Sequence, residues 1–380
     1  MRKNASSIFF ITNLCDFFIS YRIKFVEKLI EEKANINLIT QFSLEKDSSF
    51  IKKVGFNSFF KILNNPNYSS IYSIIKTILF AIHFSFKSNK NNVFHIITII
   101  PIISFGIPLR FLNRKCIFDV TGLGSVFSSS KLKHKLIRPI IMLLYKYIFS
   151  GKNSRVIVQN KDDFNIFKNT LKINSENIFL IGIGVDIYKF IYDQDLRQTD
   201  EPIILVPARL IKEKGIFEAS EASKILTQKG VRHKIWFAGD IHPQNPLSLN
   251  KSDIDNIKKD SPNVVFLGQQ TNMIELYKKS YIVCLPSYRE GVPRVLVEAS
   301  ACGRPCITYD SPGCRDFVIN NETGFTVPMQ SIKELAEAIE ILIKNPAKAN
   351  FFREKAHENV MNNYTSEKIS ALILNVYNHI

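Results

Sequence analysis

The sequence predicts an α/β protein with two parallel sheets, each in its own domain, and three observations carry that reading. Short apolar runs alternate with amphipathic segments of helical spacing from Ser7 onward, the pattern of strand–helix–strand units. The pattern restarts at Ile203, after a polar stretch from Asp186 to Glu201. A chain of 380 residues is also long for one hydrophobic core. The first domain is placed at 1–190 and the second at 191–362, with the polar stretch between them.

Taken in order, Ser7 to Thr12 reads as the first strand, ahead of a secretory signal, because Thr12, Asn13 and Asp16 break its apolar core. Asn13 to Tyr21 reads as a loop, Arg22 to Lys33 as an amphipathic helix and Ile36 to Thr40 as the next strand. The loop lacks the glycine-rich dinucleotide pattern, so a nicotinamide cofactor gets no support. Apolar stretches at 71–86, 93–112 and 136–149 raise the question of a membrane span. The middle one carries His95, Thr98, Pro101, Ser104 and Pro108, which suit a buried strand, a loop and a helix instead. Lys131, Lys133, Lys135, Arg138 and Lys146 accompany Leu, Ile and Met at near-helical spacing. Such a helix can lie at an anionic membrane surface or pack its apolar side inward, and both readings stay open.

Ile117 to Val120 is a strand running into a loop with Gly122 and Gly124, Val156 to Asn160 is another short buried strand, and the stretch Ile178 to Asp186 follows. In the second half, strands at 203–208, 234–240, 264–268, 281–285 and 306–309 are each followed by a loop, several of them bearing glycine. Helices are expected at 332–345 and 350–380.

Composition sets limits on function. The net charge is +16, with 27 lysines and arginines against 11 acids in residues 1–190 and 23 of each beyond. An acidic partner for the first half follows: an anionic membrane, a polyanionic substrate or nucleic acid. The six cysteines have no paired zinc spacing and read as buried thiols of a cytoplasmic protein.

The densest chemistry lies at 286–310. Glu290 sits in a Gly/Pro loop after an apolar strand, Pro293 suits the first turn of the next helix, and Gly303 with Pro305 suits its end. Glu298 lies eight residues after Glu290, inside an almost wholly apolar helix, where a carboxylate is rarely idle. A helix N-terminus with a glycine loop suits a phosphate or a sugar hydroxyl. Arg209 and Lys214 flank a turn after the 203–208 strand and can converge on one anion, the guanidinium as a planar fork and the ammonium as a mobile point charge.

These residues resemble a known family. Pro207-Ala-Arg209-Leu-Ile-Lys-Glu-Lys214-Gly together with Glu290-Gly-Val-Pro-Arg-Val-Leu-Val-Glu298-Ala is similar to the retaining glycosyltransferases of family 4. Ala-Cys-Gly-Arg304-Pro and Asn321-Glu-Thr-Gly-Phe-Thr-Val-Pro extend the match over about 200–330. In the first half, Phe17-Phe-Ile-Ser-Tyr-Arg22 and Thr121-Gly-Leu-Gly-Ser-Val-Phe127 look like the bacterial branch that builds surface polysaccharides and lipid-linked oligosaccharides.

The resemblance implies the GT-B fold, two Rossmann-like domains facing across a cleft, with a last helix at 363–380 returning to the first domain. It implies that Glu298 accepts from ribose hydroxyls of a nucleotide sugar, a uridine diphosphate sugar above all. Glu290 would face the transferred sugar, Arg209 and Lys214 would clamp the diphosphate, and the backbone of Gly291, Val292, Pro293 and Arg294 would line sugar and phosphate. Gly122 would meet ligand from the first domain. No metal or other cofactor is required, and Asp253-Ile-Asp255 stands in a polar stretch. Removing Arg209 should cost about 3 kcal/mol of transition-state stabilisation, by analogy with one oxyanion donor.

Two departures stand out. Thr121-Gly122 occupies the place of a frequent histidine, leaving His95 as the nearby imidazole, and Ser20-Tyr21-Arg22 replaces a frequent Ser-His-Arg. Ser20 and Arg22 remain candidates for acceptor or phosphate contact. The basic first half favours a lipid-linked or polysaccharide acceptor and peripheral attachment to the inner face of the cell membrane. A nucleotide-sugar 2-epimerase of the same architecture is the alternative, since it would also hold a nucleotide sugar. Nucleic acid is disfavoured, because the cations are not interleaved with stacking aromatics.

Overall fold

A computed structural model describes residues 7–42, 54–62, 71–123, 132–195, 199–243 and 245–380. Contacts divide the chain into two compact units, Met1–Gly184 with Ser366–Ile380, and Val185–Thr365.

Among the described residues the first unit holds seven parallel strands: β1 Ser7–Leu14, β2 Asn35–Phe42, β3 Ser58–Lys61, β4 Val93–Ile97, β5 Lys115–Val120, β6 Ser154–Val158 and β7 Ile178–Leu180, in the order β3-β2-β1-β4-β5-β6-β7. Its longer helices are α1 Cys15–Glu31, α2 Ile71–Lys87, α3 Ile99–Phe111 and α4 Leu132–Phe149, with the short α5 Lys161–Asn165 after β6. Phe94, Ile96, Phe118, Val156 and Val158 pack into one apolar cluster and Phe10, Leu38, Ile97, Ile117 and Ile157 into another, so both faces of the sheet are covered, as continuous apolar runs in parallel sheets require.

The second unit repeats the plan with β8 Ile203–Val206, β9 Lys234–Ala238, β10 Val264–Gly268, β11 Ile282–Leu285, β12 Cys306–Tyr309 and β13 Gly324–Val327. All are parallel, in the order β10-β9-β8-β11-β12-β13. Helices α6 Ile216–Gln228, α7 Lys251–Asp260, α8 Met273–Lys279, α9 Arg294–Ala301, α10 Cys314–Phe317, α11 Ile332–Lys344 and α12 Pro346–Asn363 connect and cover them. Both sheets therefore have the doubly wound Rossmann order, with a switch point beside the first strand of each.

Three expectations are corrected. Asn13–Tyr21 is not a loop: α1 starts at Cys15, directly after β1. Phe18, Arg22, Phe25, Val26 and Leu29 fall on one buried face, so the helical period begins well before the polar residues suggest. The helix expected over 350–380 is two helices, α12 and α13 Ser366–Asn378. The break falls where Tyr364 accepts the Val185 N–H at 2.8 Å and packs on Phe317, and where α13 leaves for the first unit. The polar stretch 186–201 is no bare connection either. Phe190 packs on Tyr277, Tyr192 lies 4.4 Å from the His357 ring, and Asp193 pairs with Arg304.

Candidate functional site

In the second sheet the chain leaves β8 in one direction and returns to β11 on the other side, so the loops after these two strands diverge at their carboxyl ends. That crevice is where open α/β sheets bind ligands. The loop after β8 carries Arg209, which is exposed and has no side-chain partner among the described residues. Lys212–Lys214 then make one tight turn, ended by Gly215 in the left-handed region at φ 69°. A Cβ there would stand 2.2 Å from the Pro286 carbonyl oxygen, so only glycine lets the loops after β8 and β11 approach so closely. Tyr288 N–H donates to the Glu213 carbonyl at 2.9 Å and fastens the two loops together.

That contact brings Lys214 against Glu290. The ammonium donates to Glu290 Oε1 in an ion pair whose side chains are less than one fifth exposed. The Glu290 backbone N–H donates to the Pro312 carbonyl at 3.0 Å. Gly313, at φ 79°, supports the same loop from below, since a Cβ on it would reach within 2.3 Å of the Gly291 oxygen and 2.4 Å of the Glu290 oxygen. Val292 and Pro293 are buried and Gly291 and Arg294 half-buried, so this loop is a fixed scaffold. Pro293 is the N-cap of α9, one residue earlier than its expected place in the first turn. Gly303 follows the end of α9 at φ 72°, as its sequence position predicts.

Glu298 lies on α9 and is 5 % exposed. Each carboxylate oxygen has a donor: Arg294 Nε at 2.6 Å on Oε1 and the Tyr277 hydroxyl at 3.0 Å on Oε2. Burial, and then the neighbouring Glu298 charge, push the Tyr277 phenol well above its ordinary range, so it stays protonated and donates. A cavity of about 290 Å3 opens here, lined by Phe190, Asn272, Ile274, Arg294, Val295 and Glu298 among others. Its lining is mixed: apolar side chains alternate with Thr271, Asn272, Lys189 and the Arg294–Glu298 pair.

Tyr277 and Arg304 were not singled out by sequence reasoning. Tyr277 lies 21 residues before Glu298 on a separate helix and looks like any core aromatic. Arg304 is fully buried, donates to the Tyr277 carbonyl at 2.6 Å through Nε, and pairs with Asp193. It thereby fixes the end of α8 that carries Tyr277. Asp253 of the Asp-Ile-Asp stretch closes a capping box with Asn250 at the start of α7, which is its evident work.

The first unit holds a different arrangement. Gly122 follows β5 at φ 154°, with nothing among the described residues within 4 Å of a Cβ built on it. Arg22 does not present itself to a ligand: it is 1 % exposed and its Nε donates to Asp119 Oδ2 at 2.7 Å. Burial works against the Asp119 charge, but Arg22 beside it holds the carboxyl below its ordinary range. His95 is a core histidine, fully buried, with Nδ1 at 2.8 Å from the Tyr377 hydroxyl and Nε2 3.8 Å from Asp119, too far for a hydrogen bond. Burial lowers its pKa, so it is neutral. The side chain of Ser20, and Gly124 to Phe127 of the glycine loop, lie outside the described residues, as does Lys131. The described cysteines, Cys116, Cys284, Cys302, Cys306 and Cys314, are unpaired and buried, and burial pushes the Cys302 and Cys314 thiols up to about 12.

Residues 189–359 match the family "Glycosyl transferases group 1". The N,N'-diacetylbacillosaminyl-diphospho-undecaprenol alpha-1,3-N-acetylgalactosaminyltransferase of Campylobacter jejuni is 26 % identical over 81 % of this chain and 76 % of its own length. The UDP-Gal:alpha-D-GlcNAc-diphosphoundecaprenol alpha-1,3-galactosyltransferase of Escherichia coli is 25 % identical over 80 % of both chains. Among solved structures, Anabaena HepE in complex with UDP superposes with a TM-score of 0.77, covering 98 % of this chain and all of that one at 14 % identity. The fold is that of GT-B glycosyltransferases.

Proposed function

Residues 189–359 form a group 1 glycosyltransferase domain, and from that premise we propose that the chain transfers a hexose or N-acetylhexosamine from a uridine diphosphate sugar to a lipid-linked or polysaccharide acceptor. One observation carries the reading: the loops after β8 and β11 meet at the sheet's switch point and hold Lys214 against Glu290, with Arg209 exposed on the first loop, while Glu298, on the helix that the second loop enters, walls a cavity that none of those three lines. That set matches the parts of a nucleotide sugar in order, with Glu298 for the ribose, the cations for the diphosphate and Glu290 for the sugar.

The chemistry follows from the charges. The bond between C1 and the β-phosphate oxygen breaks, and its electron pair leaves with the diphosphate. Cations already in place stabilise that growing negative charge more than they stabilise the bound donor. The acceptor hydroxyl attacks C1 from the face the phosphate leaves, and its proton goes to the departing phosphate oxygen, so the anomeric configuration is retained. Arg209 and Lys214 supply the positive charge that a divalent metal would otherwise bring. The relatives named for undecaprenol-linked substrates support an acceptor of that class, and with it attachment to the inner face of the cell membrane. No helix among the described residues is long and apolar enough to cross a bilayer.

The test is product analysis with labelled UDP-sugars, first alone and then with a short-chain polyprenyl diphosphate sugar. Label in the acceptor with the donor's anomeric configuration, in EDTA, is the expected result. A new free nucleotide sugar from donor alone would identify an epimerase, and inverted product or full dependence on a metal would overturn the mechanism.

A further inference from the structure

Helix α2 is apolar on its outer face as well as its inner one. Phe80 and Phe84 pack on the core beside an inward line of Ser73, Thr77, Ala81 and Ser85, all buried, while Ile74, Ile75, Leu79 and Phe86 face outward with Leu79 62 % exposed. A helix on a water-facing surface carries polar residues there instead. The inward hydroxyls are satisfied within the helix, Thr77 donating to the Ser73 carbonyl at 2.8 Å and Ser85 to that of Ala81 at 2.6 Å. α2 lies against α3, with Phe80 and Phe84 on Phe105.

The neighbouring helices continue the apolar face. Phe111 of α3 is 72 % exposed, Leu143 of α4 is 71 % exposed, and Ile100, Ile107 and Ile140 stand out beside them. Between the helices lies a groove of about 310 Å3 whose walls include Ile78, Ile82, Phe86, Ile107, Phe111 and Tyr147. Scattered exposed leucines need no explanation, but a contiguous patch over three helices does.

Charge identifies the occupant. Between Asp47 and Asp162 the chain has 17 lysines and arginines and one acid, Asp119, which is fully buried. The three helices carry no carboxylate, while Lys76, Lys87 and Lys146 stand exposed on them. Two copies of such a face would repel each other, and an apolar face ringed by cations complements an anionic bilayer. We propose that the α2–α3–α4 face inserts into the headgroup and acyl boundary of an anionic membrane, lying in its plane. This rests on the membrane attachment proposed above and gives it a specific surface, centred on α2 and α3.

The test is co-sedimentation with phosphatidylglycerol–phosphatidylethanolamine vesicles and with phosphatidylcholine vesicles. The wild-type protein is compared with Leu79→Ser/Phe111→Ser and with Lys76→Gln/Lys87→Gln/Lys146→Gln. The wild type should bind the anionic vesicles, and the serine variant should lose roughly tenfold to a hundredfold in partitioning. The glutamine variant should lose affinity and salt dependence together. Since all five side chains are exposed, unfolding temperature and UDP-induced stabilisation should stay at wild-type values. Equal partitioning of wild type and serine variant, no vesicle binding by wild type, or a dimer by light scattering that the serine variant abolishes would each overturn the proposal. Failure of UDP to stabilise any of the proteins would instead count against the donor site, whatever the vesicles show.

Discussion

Glu298→Gln tests the donor site most directly. The substitution keeps the shape of the side chain and removes its charge. In the structure, Oε1 accepts from Arg294 at 2.6 Å and Oε2 from Tyr277 at 3.0 Å, and the cavity reaches the same carboxylate. The amide can keep its oxygen on Arg294, and the Tyr277 hydroxyl can turn to accept from the amide nitrogen, so stability should fall by only about 1–2 kcal/mol. Ligand binding has less room to adapt. Two hydroxyls donating to a carboxylate are worth about 1.5 kcal/mol each at the low end, so about 3 kcal/mol, or roughly a hundredfold in Kd, should be lost for UDP. The assay is calorimetric titration with UDP and with its 2′,3′-dideoxy analogue. The dideoxy analogue should bind wild type about as weakly as UDP binds the variant, and the substitution should then cost it almost nothing. An equal loss for both ligands would show that Glu298 acts through Arg294 or the fold, and would refute the ribose assignment.

Gly313→Ala places a methyl group 2.3 Å from the Gly291 oxygen at φ 79°, whereas Gly230→Ala meets nothing within 4 Å at φ 70°. Both should lose about 1 kcal/mol of stability to backbone strain, but only Gly313→Ala should lower kcat/KM, by roughly tenfold or more, because it shifts the Glu290 loop. Acid should destabilise the protein through His95, whose folded pKa is lowered by burial. Below the ordinary value of about 6.5 the unfolded chain takes up a proton that the folded one refuses, so the stability is full above that pH and drains as pH falls. His95→Asn should flatten the pH dependence of urea unfolding below pH 6.5 by up to about 1.4 kcal/mol per pH unit, and an unchanged slope would mean that the imidazole titrates freely.

The placement of the candidate donor residues was legible in the sequence because they are local. Glu290 and Glu298 sit on one loop and the helix it enters, and Arg209 and Lys214 on one turn, so spacing alone carries their relation. Tyr277 and Arg304 were hidden because their roles depend on how α8 docks beside α9, which no short window shows. The Arg22–Asp119 pair spans 97 residues, so the sequence left Arg22 looking available when it is spent. The apolar outer face of α2 was missed for another reason. Periodicity tells which residues share a face but not which face is inward, and the usual rule assigns the apolar one to the core. The first-half charge excess then looked like a basic helix near 131–146, whereas the described surface joins its cations to apolar side chains of three helices.

The pairing of Lys214 with Glu290 has a consequence that separates binding from chemistry. Lys214 is held by a carboxylate in the same crevice where two phosphates are proposed to bind, so the phosphates and Glu290 compete for one ammonium. With both side chains partly exposed, the pair is worth on the order of 1 kcal/mol. Glu290→Gln removes the competitor and the like-charge repulsion felt by the diphosphate. UDP should therefore bind up to about fivefold more tightly to Glu290→Gln than to wild type. Transfer should fall all the same, by roughly a hundredfold, because the group that orients the sugar hydroxyls has lost its charge. Few substitutions in a binding site tighten the product and slow the reaction together, and a carboxylate with a purely structural role would weaken both. Titration of UDP beside steady-state transfer rates decides between them. Weaker UDP binding to Glu290→Gln would show that Glu290 holds the loop in place and does not share Lys214 with the diphosphate.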